Sequence, residues 1–133
     1  MNSFKLQDEI YNLFVNDYEL MSLMGDPFDD EEMNLRFRRE EFDITEIDSE
    51  AFPFLTILFW DTAETRNYLR NVGLLEITIY SLGRYDASRI FERIRMLFRK
   101  HYPEMKLTAE GQIYTEVRGM YCYRTRFNPL INS

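Results

Sequence analysis

The chain has 133 residues, of which 45% are hydrophobic, 16% aromatic and 29% charged, the balance of one folded domain rather than a disordered tail. Sixteen basic residues against 23 acids leave a net charge of −7. That sum argues against nucleic-acid binding through a broadly basic surface, although a local basic face remains compatible with it. The longest dense apolar run, Phe52 to Trp60, is far short of the roughly 20 residues a membrane helix needs.

The amino terminus runs quickly into acids and lacks the basic start and apolar core of a secretion signal. The one cysteine, Cys122, cannot form an internal disulfide, so a reducing cytoplasm is the expected setting for a single domain over residues 1–133. In chain order, residues 4 to 24 predict an amphipathic helix. Leu6, Ile10, Leu13, Phe14, Leu20 or Met21, and Met24 recur at spacings of three and four, with Ser3 as N-cap and Gly25-Asp26-Pro27 as the stop.

Residues 26 to 50 differ in kind. They hold eleven acids against three arginines, a net −8 that exceeds the charge of the whole chain and leaves +1 for everything else. No sustained period is visible, although Leu35-Arg36-Phe37-Arg38 could alternate as a short strand. The segment is expected to form an acidic excursion from the core.

Pro53 introduces the run Phe54 to Trp60, whose near-continuous apolarity predicts a strand buried on both faces. Asp61 to Asn71 predicts a long hairpin loop, and Leu74 to Tyr80 alternates as a second strand. Gly83 ends that strand, and Asp86 is the expected cap of a helix with Ala87, Ile90, Phe91, Ile94, Leu97 and Phe98 on one stripe. Tyr102-Pro103 ends this helix. The tail predicts strand from Lys106 through Gly111 to Val117, a turn at Arg118-Gly119, and a last strand from Met120 to Phe127. In that strand Tyr121, Tyr123, Thr125 and Phe127 share one face, and Cys122, Arg124 and Arg126 the other. The expected fold is α+β: a four-stranded, mostly antiparallel sheet with two helices packed on one face, in the order α-(loop)-β-β-α-β-β.

Little catalytic chemistry is legible. His101 is the only histidine, so histidine–cysteine metal sites and histidine-activated nucleophiles have little to draw on, and a helix C-terminal position explains it simply. Five glycines form no phosphate-binding or dinucleotide pattern. The cluster Asp29-Asp30-Glu31-Glu32 could hold a hard cation, which would suit a small metal-dependent enzyme, but it lacks the alternating ligands and mid-loop glycine of a calcium loop and reads better as a solvated charge run. Arg124 and Arg126, with Arg118 nearby, form a basic strip beside aromatics. It could meet single-stranded nucleic acid, or the acids of a neighbouring copy, which the overall charge favours. No enzyme activity, cofactor or metal is expected. The residues expected to matter are interface residues: Asp29, Asp30, Glu31 and Glu32 on one side, and Arg118, Arg124 and Arg126 on the other. Residues 84 to 126 carry ten basic and five acidic groups, an electrostatic match for the acidic segment.

The order of segments resembles the tail terminator proteins (tail-completion or tail-to-head joining) of long-tailed bacteriophages. The likeness rests on the helix ending at Leu23-Met24-Gly25, the strand Pro53-Phe54-Leu55-Thr56-Ile57, the strand Glu76-Ile77-Thr78-Ile79-Tyr80-Ser81 feeding Ala87 to Lys100, and the closing run Met120 to Phe127. The acidic segment has no counterpart in that pattern. The resemblance implies a virion structural protein, assembled in the host cytoplasm, that forms a ring, usually a hexamer, at the tail–head junction. Such a ring stops growth of the tail tube, binds tail tube protein, docks the head–tail connector, and lets DNA pass without specific binding. The alternative expectation is a small acidic adaptor or inhibitor that binds a host protein through residues 26–50.

Overall fold

A computed structural model describes residues 3–42, 47, 51–61, 73–115 and 117–129. In chain order these form α1 (Ser3–Val15), α2 (Tyr18–Leu23), α3 (Asp30–Arg36), β1 (Phe37–Arg38), β2 (Phe54–Asp61), β3 (Gly73–Ser81), α4 (Arg84–His101), β4 (Lys106–Ile113) and β5 (Tyr121–Asn128). The α+β class agrees with the sequence. The sheet does not have the expected four strands: it is five-stranded and mixed, in the order β1-β2-β3-β5-β4. The additional strand, β1, occupies the second half of the Leu35–Arg38 run that could alternate as a short strand, the first half ending α3; it runs parallel to β2 and pairs only Phe37 with Leu55 and Arg38 with Thr56. The other neighbours are antiparallel. The β2–β3 ladder runs from Phe54↔Tyr80 to Asp61↔Gly73, and the connection between them, residues 62 to 72, lies outside the described residues.

The expected opening helix is two helices. Asp17 adopts an extended backbone, and its carboxylate accepts from Leu20 N at 2.9 Å, capping α2 after α1 has ended. The apolar stripe is continuous across the break, because Leu6, Ile10 and Phe14 of α1 and Leu20 and Met24 all enter one core, so periodicity conceals it. Gly25, with φ +87°, takes the left-handed conformation that stops α2. Ser3, expected to cap, is the first helical residue, and Asp86 lies in the first turn of α4 while Gly83 occupies the cap position. The Asp86 carboxylate still favours that helix end through the backbone dipoles.

Alternation divides the sheet into two faces. Leu55, Ile57, Leu75, Ile77, Ile79 and Phe127 point toward α1 and α4 and are fully buried with Ala87, Ile90, Ile94, Leu97 and Phe98. A line of rings crosses this layer: Phe37 to Phe14 at 6.1 Å, Phe14 to Phe98 at 5.8 Å, and Phe98 to Phe127 at 5.0 Å. Thr125 is the polar member of the layer, and its hydroxyl donates to Ile77 O at 2.7 Å. As expected, β2 is buried on both faces from Phe54 to Ile57.

The acidic segment is not simply an excursion. Its first half contains α3 and β1, and Phe42 within it and Phe52 just after it pack on the outer face of the sheet. The Phe42 ring meets Phe54 and Tyr80 edge-on, each at 5.2 Å, and Phe52 stacks on Phe54 at 5.6 Å. The Arg38 guanidinium lies 4.5 Å from the Phe54 ring centre. Arg36 donates to the carbonyls of Ala51 at 2.6 Å and Pro53 at 2.9 Å, tying the end of α3 to the entrance of β2. The side-chain amide of Gln7 bridges the carbonyls of Arg39 and Ile57 from α1. Among the described residues no helix is long and apolar enough to cross a membrane.

Candidate functional site

The outer face of the sheet carries the basic residues singled out in the sequence. Register places Leu58, Glu76, Arg126 and Ala109 in one row, and Thr56, Thr78, Arg124 and Gly111 in the next. Arg126 Nε lies 3.1 Å from the Glu76 carboxylate directly opposite, so this arginine has a partner within its own sheet. Arg124 and Arg126 line a shallow groove of about 210 Å³ that continues over Gly111, where nothing lies within 4 Å of the position a Cβ would take. Arg118 does not join them: it is exposed on the connection between β4 and β5, beyond the end of the ladder at Ile113↔Cys122.

The four acids gather at the opposite edge of the sheet, on a helix. Asp29 caps α3 by accepting from Glu32 N at 2.8 Å, and Glu32 reaches back to accept from Phe28 N at 2.8 Å. Asp30 and Glu31 complete the first turn, where negative charge offsets the helix dipole. Two of the four carboxylates are therefore engaged in capping, and all four are exposed. Phe28 and Leu35, 89% and 51% exposed, accompany them.

Two titratable groups on the sheet's outer face are withdrawn from ordinary chemistry. Burial pushes the Cys122 thiol up to about 11, and burial likewise raises the phenol of Tyr80 beside it. His101 ends α4 on the helix side, in a cleft with Asn12 and Leu13 of α1, so the sheet separates it from Cys122 and the two do not form a pair. Among the described residues no group of three or more histidine, cysteine, aspartate or glutamate side chains is placed to hold a metal ion.

The residue that sequence reasoning missed is Glu76. Its alternation with Ile77 marks it as outward-facing, but its pairing with Arg126 depends on β3 lying beside β5, a contact between residues 50 positions apart. Gly111 is legible as a strand glycine, and its meaning as a gap opposite Arg124 depends on the same pairing. No protein-family model matches the chain, and no curated protein sequence matches it.

Proposed function

We propose that the protein is a non-enzymatic structural subunit that closes into a ring, in the manner of the tail-completion proteins its segment order resembles: it caps a tail tube, stops its growth and offers a docking surface to a head connector. One observation supports this above others. Opposite charges occupy separate surfaces of one subunit, with Asp30 and Glu31 exposed on α3 at the β1 side and Arg124 on the outer face toward β4. Copies placed side by side bring these surfaces together, a complementarity that fixes register and partner more than raw affinity. DNA passing through such a ring meets a protein of net −7 that does not grip phosphate.

Light scattering behind size exclusion, with negative-stain imaging, tests the assignment on protein alone and on protein mixed with tail tubes. Rings, or capped tubes of uniform length, are expected. A protein that stays monomeric in both conditions and leaves tube length unchanged overturns it. A second role, as an acidic adaptor or inhibitor of a host protein, draws on Phe28 and Leu35 exposed beside Asp30 and Glu31. Pull-down from host extract with Asp30→Asn/Glu31→Gln tests it: a partner held equally well by the variant argues against docking through these acids.

A further inference from the structure

A second groove, of about 260 Å³, lies on the helix side of the sheet, between α4 and the β4–β5 hairpin. Its walls combine three rings, Phe91 from α4 and Tyr121 and Tyr123 from β5, with two exposed carboxylates, Glu92 from α4 and Glu110 from β4. Phe91 and Tyr123 pack directly on one another, with ring centres 5.5 Å apart at a 56° tilt, and form the floor of the groove. Neither Glu92 nor Glu110 forms an ion pair among the described residues. Arg84 also lines the groove, but it stands eight residues before Glu92 on the same helix, about 12 Å along the axis at 1.5 Å per residue, whereas Glu110 accepts a hydrogen bond from the hydroxyl of Tyr123, whose ring packs on Phe91 beside Glu92. Ring faces attract a cation within about 6 Å of their centres, and a carboxylate at the rim adds charge-assisted hydrogen bonds to it.

The groove runs beside β4, the last strand of the sheet. Beyond a bulge at Thr108 this strand continues regularly through Ile113, and a terminal strand of such length offers a backbone edge to an extended segment. We propose that this edge and groove together bind an extended basic peptide segment of a partner protein: its backbone adds a strand to β4, and an arginine or lysine side chain lies across the exposed parts of the rings toward Glu92 and Glu110. The charge of the groove selects the occupant. A purely apolar segment leaves two carboxylates facing it, and an acidic one meets repulsion. The groove contacts lie on the helix side of the sheet, but the strand addition takes the β4 edge and so competes with any contact between copies made through that edge.

The test uses the whole chain and a fluorescein-labelled peptide of sequence Thr-Val-Arg-Val-Thr, followed by anisotropy and by backbone amide shifts. The wild-type protein is expected to bind saturably, with shifts concentrated in residues 109 to 113. Glu92→Gln/Glu110→Gln weakens binding tenfold or more, and its unchanged melting curve shows that it folds. Asp30→Asn/Glu31→Gln, which removes the same charge elsewhere, leaves binding intact. Absence of saturable binding overturns the proposal. So does equal weakening by both double variants, which would reflect overall acidity, or equal binding of a peptide with norleucine in place of arginine, which would mark a plain apolar groove. Self-association that blocks β4 and that the peptide fails to displace also overturns it, giving the face to a second copy of the chain.

Discussion

Asp17 does two jobs at one position, capping α2 and receiving Arg93. The Arg93 guanidinium donates to both Asp17 oxygens, at 2.7 and 2.8 Å, and also lies 3.1 Å from Glu19, joining α2 to α4. Hydrogen bonds from Arg93, against the opposing effect of burial, hold the Asp17 carboxyl below its ordinary range. Asp17→Ala removes a cap and a largely buried charge pair, an expected loss of about 2–3 kcal/mol by urea denaturation. Because its folded-state pKa is depressed, Asp17 contributes its full stabilisation above the unfolded value of about 4. The contribution is lost as pH falls through the folded value, so the gap between wild type and Asp17→Asn narrows steadily below about pH 4. Cys122 offers a second check at this scale. With its thiol buried and raised to about 11, it should resist an aromatic disulfide reagent at pH near 8 and react promptly once the chain is unfolded.

Among the elements, the turn at Gly25 carries the sharpest expectation. A Cβ there would lie 3.5 Å from the Arg36 guanidinium, an ordinary contact, so Gly25→Ala is penalised chiefly by its φ of +87°. The expected loss is about 1–2 kcal/mol, read as a shift in urea midpoint without a change in slope. The same elements show what the sequence discloses. Apolar period recovers α1, β3, α4 and β5 and the correct faces of Tyr121 through Phe127, because each buries one side against the core, and a continuous apolar run recovers β2, which is buried on both. It misses the break at Asn16-Asp17, which a continuous stripe spans, and α3, whose residues Asp30 to Arg36 include none that is fully buried. Asp29 and Glu32 do spell a cap in retrospect, but eleven acids in one segment obscure the two that cap a helix. The candidate site was half legible: Arg124 and Arg126 fall on the face that alternation assigns them, while Glu76 and the α4–β5 groove depend on non-local pairing.

At the scale of the whole molecule, the proposed association through separated charges predicts sensitivity to salt. If copies associate as proposed, through the exposed α3 acids and half-exposed Arg124, raising ionic strength to about 1 M, where the screening length is about 3 Å, should dissolve the assemblies. Arg124→Glu should have the same effect at low salt, with partial recovery when paired with Asp30→Lys/Glu31→Lys, both followed by light scattering. The edges of the sheet then constrain symmetry. Among the described residues one edge is the eight-residue β4 and the other the two-residue β1, so β4 offers the greater length of backbone to a neighbour. Two copies meeting β4 to β4 form an isologous contact that is complete at a dimer. A cyclic ring of more than two copies must instead repeat a heterologous contact, each subunit presenting a different surface on its two sides, and the unequal edges described for this sheet are compatible with that polarity.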